Sequence, residues 1–143
     1  MTIAAILKER SGEVISIAGD ATVAEAIRLL ADKRIGALPV LRDGKVAGIF
    51  SERDVIYCLA TVGPTALDKP VADVMTAPAQ TIEPNQSVLG ALSLMTHRRF
   101  RHLPVVDSRD SLVGFVSIGD LVKHRIDKIE AEATAMRDYI QTA

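Results

Sequence analysis

The chain has 143 residues, of which 48% are hydrophobic, 24% charged and 3% aromatic, with a formal net charge of −1 at pH 7. That length holds one domain, or two half-domains sharing a core that must be mostly aliphatic because tryptophan is missing. Near-neutral charge and sparse aromatics argue against a nucleic-acid surface, the lone Cys58 excludes an intrachain disulfide, and no stretch reaches the ~20 apolar residues of a membrane span.

In chain order, Thr2 to Arg10 reads as a short helix with Ile3, Ile6 and Leu7 on one side, ended by Ser11-Gly12. Val14 to Ile17 alternates like a half-buried strand. Thr22 and Glu25 form a capping box ahead of a helix with Val23, Ala26, Ile27 and Leu30 on one face. Strands are predicted at Leu38 to Leu41 and Val46 to Phe50, joined by a tight turn around Asp43-Gly44. Ser51 is the expected N-cap of a helix through Ala60, and Val62 to Pro70 reads as a linker opened by Gly63-Pro64. A single helical turn is expected at Val71 to Met75, then a strand at Gln80 to Ile82 and a helix capped by Ser87 that carries Val88, Ala91, Leu92 and Met95. Two strands follow, Leu103 to Val106 and Leu112 to Val116. The last helix, from about Ile118 to Ile140, carries Val122, Ile126, Ile129, Ala133, Met136 and Ile140 at the 4-3-4-3-4 spacing of a coiled-coil seam, which points to packing on a partner.

The chain repeats itself. Pro104 follows Pro39 by 65 positions and Val88 follows Val23 by 65, while Gly114, Ser117 and Asp120 follow Gly48, Ser51 and Asp54 by 66. The second copy therefore carries one extra residue in its hairpin turn, where insertions are tolerated. A unit of about 45 residues barely buries enough surface alone, so the copies are expected to pack about a pseudo-two-fold axis.

The doubled pattern of apolar-Pro-Val, turn, Gly-apolar-apolar-Ser-x-x-Asp resembles the CBS (cystathionine-β-synthase) domain, and two in tandem resemble the CBS pair or Bateman module, here as a stand-alone two-CBS protein. The resemblance implies an α/β (α+β) fold of tandem β-α-β-β-α units packed through their sheets, to which the long C-terminal helix is added. The expected division is 1–70 for the first unit with its N-terminal segment and linker, 71–126 for the second, and 127–143 for the helical extension. The lone Cys58 and the lack of an apolar leader already point to a reducing, cytoplasmic setting. The resemblance further implies a homodimer, a disc of two CBS pairs, that binds AMP, ADP or ATP in clefts between the copies, with S-adenosylmethionine or NAD ranked behind them. Its expected role is regulatory or energy-sensing through an unidentified partner protein, not enzymatic, with no catalytic cofactor.

The residues suit that chemistry. Ser51 and Ser117 stand at helix starts, where amides and the macrodipole favour an anion. Asp54 and Asp120, one turn on, would repel phosphate but can accept hydrogen bonds from two ribose hydroxyls. Arg101 and His102 match the family position before the proline that meets phosphate, whereas Gly36 and Ala37 depart from it. Arg53 adds a planar cation in the first copy only, since Gly119 stands in its place. Ser16 and Thr81, with Ile17 and Ile82, match the first-strand positions that line an adenine slot in the family.

Other readings remain open. Serine caps and first-turn aspartates also occur without ligands, so a structural dimerisation module with vestigial clefts is the alternative. Against an enzyme, no nucleophile elbow, phosphate-binding Gly-rich loop or His-Glu-x-x-His is present, and His97, His102 and His124 lack companions at metal-ligand spacing.

Overall fold

The computed structural model describes residues 1–10 and 12–142. The first copy comprises α1 (Ile3–Lys8), β1 (Ile17–Ala18), α2 (Val23–Lys33), β2 (Ala37–Arg42), β3 (Lys45–Ser51) and α3 (Glu52–Val62). A 3-10 turn at Pro64–Asp68 and α4 (Val71–Val74) lead to α5 (Val88–Arg98), β4 (His102–Val106), β5 (Leu112–Ser117) and α6 (Ile118–Thr142). The expected helix end at Ser11 lies outside the described residues, and α1 itself closes at Lys8 with Glu9 as its cap.

β1 runs parallel to β2, and β2 pairs antiparallel with β3; β4 and β5 form a separate antiparallel ribbon. The two hairpins agree down to their irregularities. Val40 faces Gly48 and Val105 faces Gly114, and in each the register shifts at the next residue. Asp43 and Gly44 both have positive φ, 54° and 78°, as the mirror-image hairpin turn requires. Thr22 and Glu25 form the predicted capping box, and the Gly90 amide donates to Ser87 Oγ at 2.9 Å.

Two expectations are corrected. The Val14 to Ile17 strand contracts to Ile17–Ala18, because Val14 and Ile15 turn aside to line a cleft. The Gln80 to Ile82 strand contracts to one parallel bridge, in which the Ile82 amide donates to the Pro104 carbonyl (3.0 Å) and the Val106 amide to the Ile82 carbonyl (2.9 Å). The stretch from Val62 to Pro70, expected as a linker, is itself ordered, since its 3-10 turn buries Ala66 in the first core.

The two cores exchange their coverings. α1 opens the first copy in sequence yet places Ile3 and Ile6 in the second core, beside Val88, Met95 and Leu103. The Ile3 and Ala4 amides donate to the carbonyls of Gln86 (2.9 Å) and Pro84 (2.8 Å). Reciprocally, α4 opens the second copy in sequence yet places Val71 in the first core, with Val74 and Met75 packed against it. The Val71 and Ala72 amides donate to the carbonyls of Ala21 (2.8 Å) and Gly19 (3.0 Å).

Motif glycines make room for these exchanged segments. A Cβ on Gly48 would lie 2.7 Å from both the Met75 sulfur and the Thr76 carbonyl oxygen, and one on Gly114 would lie 2.6 Å from a Leu7 methyl. Leu7 can rotate away, but the Thr76 backbone cannot. Gly48→Ala is therefore expected to destabilise the fold by about 1–3 kcal/mol in urea titration, and Gly114→Ala by less than about 1 kcal/mol. Equal losses would contradict the exchanged packing.

Candidate ligand-binding clefts

Two clefts flank the seam between the copies. One, of about 520 Å³, opens beside the start of α6, and the other, of about 850 Å³, opens beside the start of α3. Both volumes suit a nucleoside-sized ligand.

Each helix start is built alike. At α3 the Ser51 amide donates to Asp54 Oδ2 (2.9 Å), while the Asp54 amide reaches Ser51 Oγ (3.4 Å). At α6 the Ser117 amide donates to Asp120 Oδ2 (2.9 Å) and the Asp120 amide to Ser117 Oγ (3.1 Å). The first helical amides, of Glu52 and Ile118, donate to the carbonyls of Gly36 and Arg101. Of each first turn's three leading amides, this leaves those of Arg53 and Gly119 for a ligand.

The carboxylates also hold the exchanged segments. Thr76, just past α4, donates its hydroxyl to Asp54 Oδ1 at 2.9 Å. Arg10, just past α1, pairs with Asp120 Oδ2 at 2.6 Å and donates to the Phe115 carbonyl at 2.8 Å. Burial works to raise the Asp120 carboxyl, but the Ser117 amide and hydroxyl and the Arg10 guanidinium together hold it below its ordinary value. Among the described residues Asp120 Oδ1 accepts no hydrogen bond, so it can still take one from a sugar hydroxyl, whereas both oxygens of Asp54 are engaged.

The α6 cleft gathers Ser117, Asp120 and His102 from the sequence-predicted set, and the α3 cleft gathers Ser51, Arg53, Asp54, Arg101 and again His102. Ser16, Ile17, Thr81 and Ile82 line neither cleft. Ile17 packs against the first core and Ile82 is buried in the second. Their intended place is taken two positions upstream by Val14 and Ile15 in the α6 cleft and by Ala79 and Gln80 in the α3 cleft, again 65 apart.

Sequence reasoning passed over Arg34 as a site residue. It lines the α6 cleft, and Arg99, its repeat-mate, lines the α3 cleft beside Arg98. Both cap their helices in the left-handed region, at φ 54° and 59°, where glycine is ordinarily preferred. Their shared 65-residue register was the available signal. The lining charges differ. The α6 cleft sets Arg10 and Arg34 against Glu13 and Asp120, whereas the α3 cleft sets Arg53, Arg98, Arg99 and Arg101 against Glu52 and Asp54.

Gly36 and His102 border both clefts. The His102 ring stacks on Phe115 with centroids 5.4 Å apart. Burial lowers its pKa, outweighing the pull of Asp120 and Glu52 towards the charged form, while Arg101 lowers it further. The lowered pKa favours the neutral ring of His102 in the empty cleft, so of the pair matched to the phosphate position Arg101 is the permanent cation.

With this geometry in place, comparison with known proteins identifies the architecture. The CBS domain pattern matches twice, at residues 7–61 and 71–127. The chain belongs to the CBS-domain family. It is 33% identical over 139 residues to a mitochondrial CBS domain-containing protein of Arabidopsis thaliana, covering 94% of this chain and 67% of that one. The structure of a CBS-domain containing protein from Agrobacterium tumefaciens superposes with a TM-score of 0.81 at 34% identity, covering 87% of this chain and 99% of that one. A third neighbour, the CBS domain pair of protein MJ0100 in complex with 5-methylthioadenosine and S-adenosyl-L-methionine, has a TM-score of 0.78 at 25% identity over 90% of this chain and 98% of that one. The fold is the tandem CBS pair with a long C-terminal helix, and among the described residues no helix is long and apolar enough to cross a membrane.

The lowered pKa of His102 has a definite sign. The unfolded chain takes up a proton near pH 6.5 while the folded chain resists it, so the neutral ring's stabilisation is present above that value and is lost as pH falls towards the folded pKa. Denaturant midpoints of the CBS pair are expected to drop between pH 7.5 and pH 5, and to drop less in His102→Gln. Identical pH profiles for the two proteins would overturn the assignment.

Proposed function

We propose that this CBS pair is a regulatory module that binds an adenine nucleotide (AMP, ADP or ATP) and acts through a partner protein instead of catalysing a reaction. The observation that carries the reading is the charge of the α3 cleft, where four arginines face two carboxylates at the mouth of a helix N-terminus. The bound ligands of the MJ0100 pair support an adenosine-bearing ligand for this fold, and the arginine excess here adds preference for a phosphorylated one. In the α6 cleft the charges balance, which suits an adenosine ligand of little net charge whose ribose meets Asp120 Oδ1. The module works as a homodimeric disc through α3 and the start of α6, where Ile56, Tyr57, Val122 and Ile126 are exposed and Ile56 and Val122 are repeat-mates. No membrane or nucleic-acid partner is assigned.

A second reading is a dimerisation scaffold with vestigial clefts. It is favoured by the work Ser51, Asp54, Ser117 and Asp120 already do as helix caps and as anchors for Thr76 and Arg10.

Calorimetric titration of ATP, AMP and adenosine at two salt concentrations separates the readings. ATP is expected to bind more tightly than adenosine and to lose affinity as salt rises. Arg99→Gly relieves a left-handed residue and is expected to stabilise the fold by roughly 1 kcal/mol while weakening ATP about tenfold. No binding heat with any of the three would leave the scaffold, whereas ATP and adenosine bound alike with no effect of Arg99→Gly would overturn the preference for a phosphorylated ligand.

A further inference from the structure

We infer that the C-terminal half of α6 forms a parallel, in-register, two-stranded coiled coil with a second copy of this chain. Every residue from Ile129 to Thr142 is exposed, and Leu121 is the one buried residue of the helix. These fourteen residues extend about 21 Å beyond the domain. A solvated helix of that length is marginal in water unless its apolar face is covered. The face is continuous, since Val122, Ile129 and Met136 occupy d positions and Ile126, Ala133 and Ile140 occupy a positions of a 3.5-residue repeat.

The flanking charges select the occupant and its direction. In a parallel pair each g residue faces the e residue five positions on in the other helix. That sets Arg125 against Glu130 and Glu132 against Arg137, opposite charges in both cases and four such pairs in the dimer. An antiparallel pair at full overlap brings e to e and g to g. Lys123 then meets Arg137, Glu130 meets Glu130 and Glu132 meets Glu132, all like charges. Slipping the antiparallel pair by one heptad restores opposite charges but leaves a third of the apolar positions unpaired. A copy of the same chain running parallel is the occupant the helix complements on both edges. The arrangement also places the two second units side by side, so the disc is head-to-head.

This inference rests on the homodimer reading for the number of copies and is independent of what the clefts bind. The test uses the full chain with Cys58 replaced by alanine. In a parallel coil the two copies of position 136 face each other, so Met136→Cys is expected to oxidise to a disulfide-linked dimer, while Ile126→Cys mixed with Met136→Cys gives no mixed cross-link. Glu132→Arg and Arg137→Glu, measured singly by sedimentation, are each expected to weaken dimerisation by about fivefold, and together to restore it. A dimer by sedimentation without the 136–136 cross-link would overturn the coil and leave the homodimer standing. The mixed 126–136 cross-link would establish the antiparallel pair instead. A trimer, or a monomer at all concentrations, would also overturn the inference, the monomer taking the homodimer with it.

Discussion

Each half of this molecule is completed by a segment that belongs, in sequence, to the other half. The constraint is one of surface. A three-stranded sheet with two helices, or a two-stranded ribbon with two helices, cannot close a core of about 45 residues without help. Ile3 and Ile6 close the second core and Val71 closes the first, all three essentially shielded from water. At roughly 1.5–3 kcal/mol for each buried side chain, Ile3 and Ile6 together contribute about 3–6 kcal/mol. That is comparable with the whole stability of a small domain, so the second half is not expected to fold without α1.

The clefts are a consequence of the same exchange. Each exchanged segment crosses the face of the opposite copy close to a helix start, held there by Asp54 through Thr76 or by Asp120 through Arg10. The space left between segment, helix start and hairpin is the cleft. The motif glycine, serine and aspartate are thus one device: the glycine admits the segment, the serine caps the helix, and the aspartate grips the segment while facing the opening. Pseudo-symmetry fixes where the two openings lie, but their chemistry has diverged. Arg53 against Gly119, Arg101 against Gly36, and the further Arg98 give the α3 cleft its positive excess, while Arg10 at the grip, with Arg34, only balances Glu13 and Asp120 in the other. The His102 ring stands in the wall between them.

Much of this was legible in the residues. The 65- and 66-residue offsets gave the duplication, Asp43-Gly44 gave the turn, and the Ser-x-x-Asp spacing gave both cleft mouths and the carboxylates there. Other features were hidden for physical reasons. Alternation in Val14 to Ile17, carried over to Gln80 to Ile82 by the repeat, signals residues with one buried face, but a cleft wall satisfies that pattern as well as a sheet does. The apolar side of α1 showed that Ile3 and Ile6 would be buried without showing against which copy, because periodicity carries no address. Arg34 and Arg99 were obscured by their position at helix ends, where a basic residue is expected for the macrodipole alone.

The exchange of covering segments is tested most directly by native-state hydrogen exchange of the amides that make it: Ile3 and Ala4, which donate to Gln86 and Pro84, and Val71 and Ala72, which donate to Ala21 and Gly19. If these segments close the two cores, all four amides exchange only through global unfolding, with the same free energy as core amides such as Leu103 and Val116. Exchange of Ile3 and Ala4 at the rate of a frayed terminus, while Leu103 and Val116 stay protected, would contradict it.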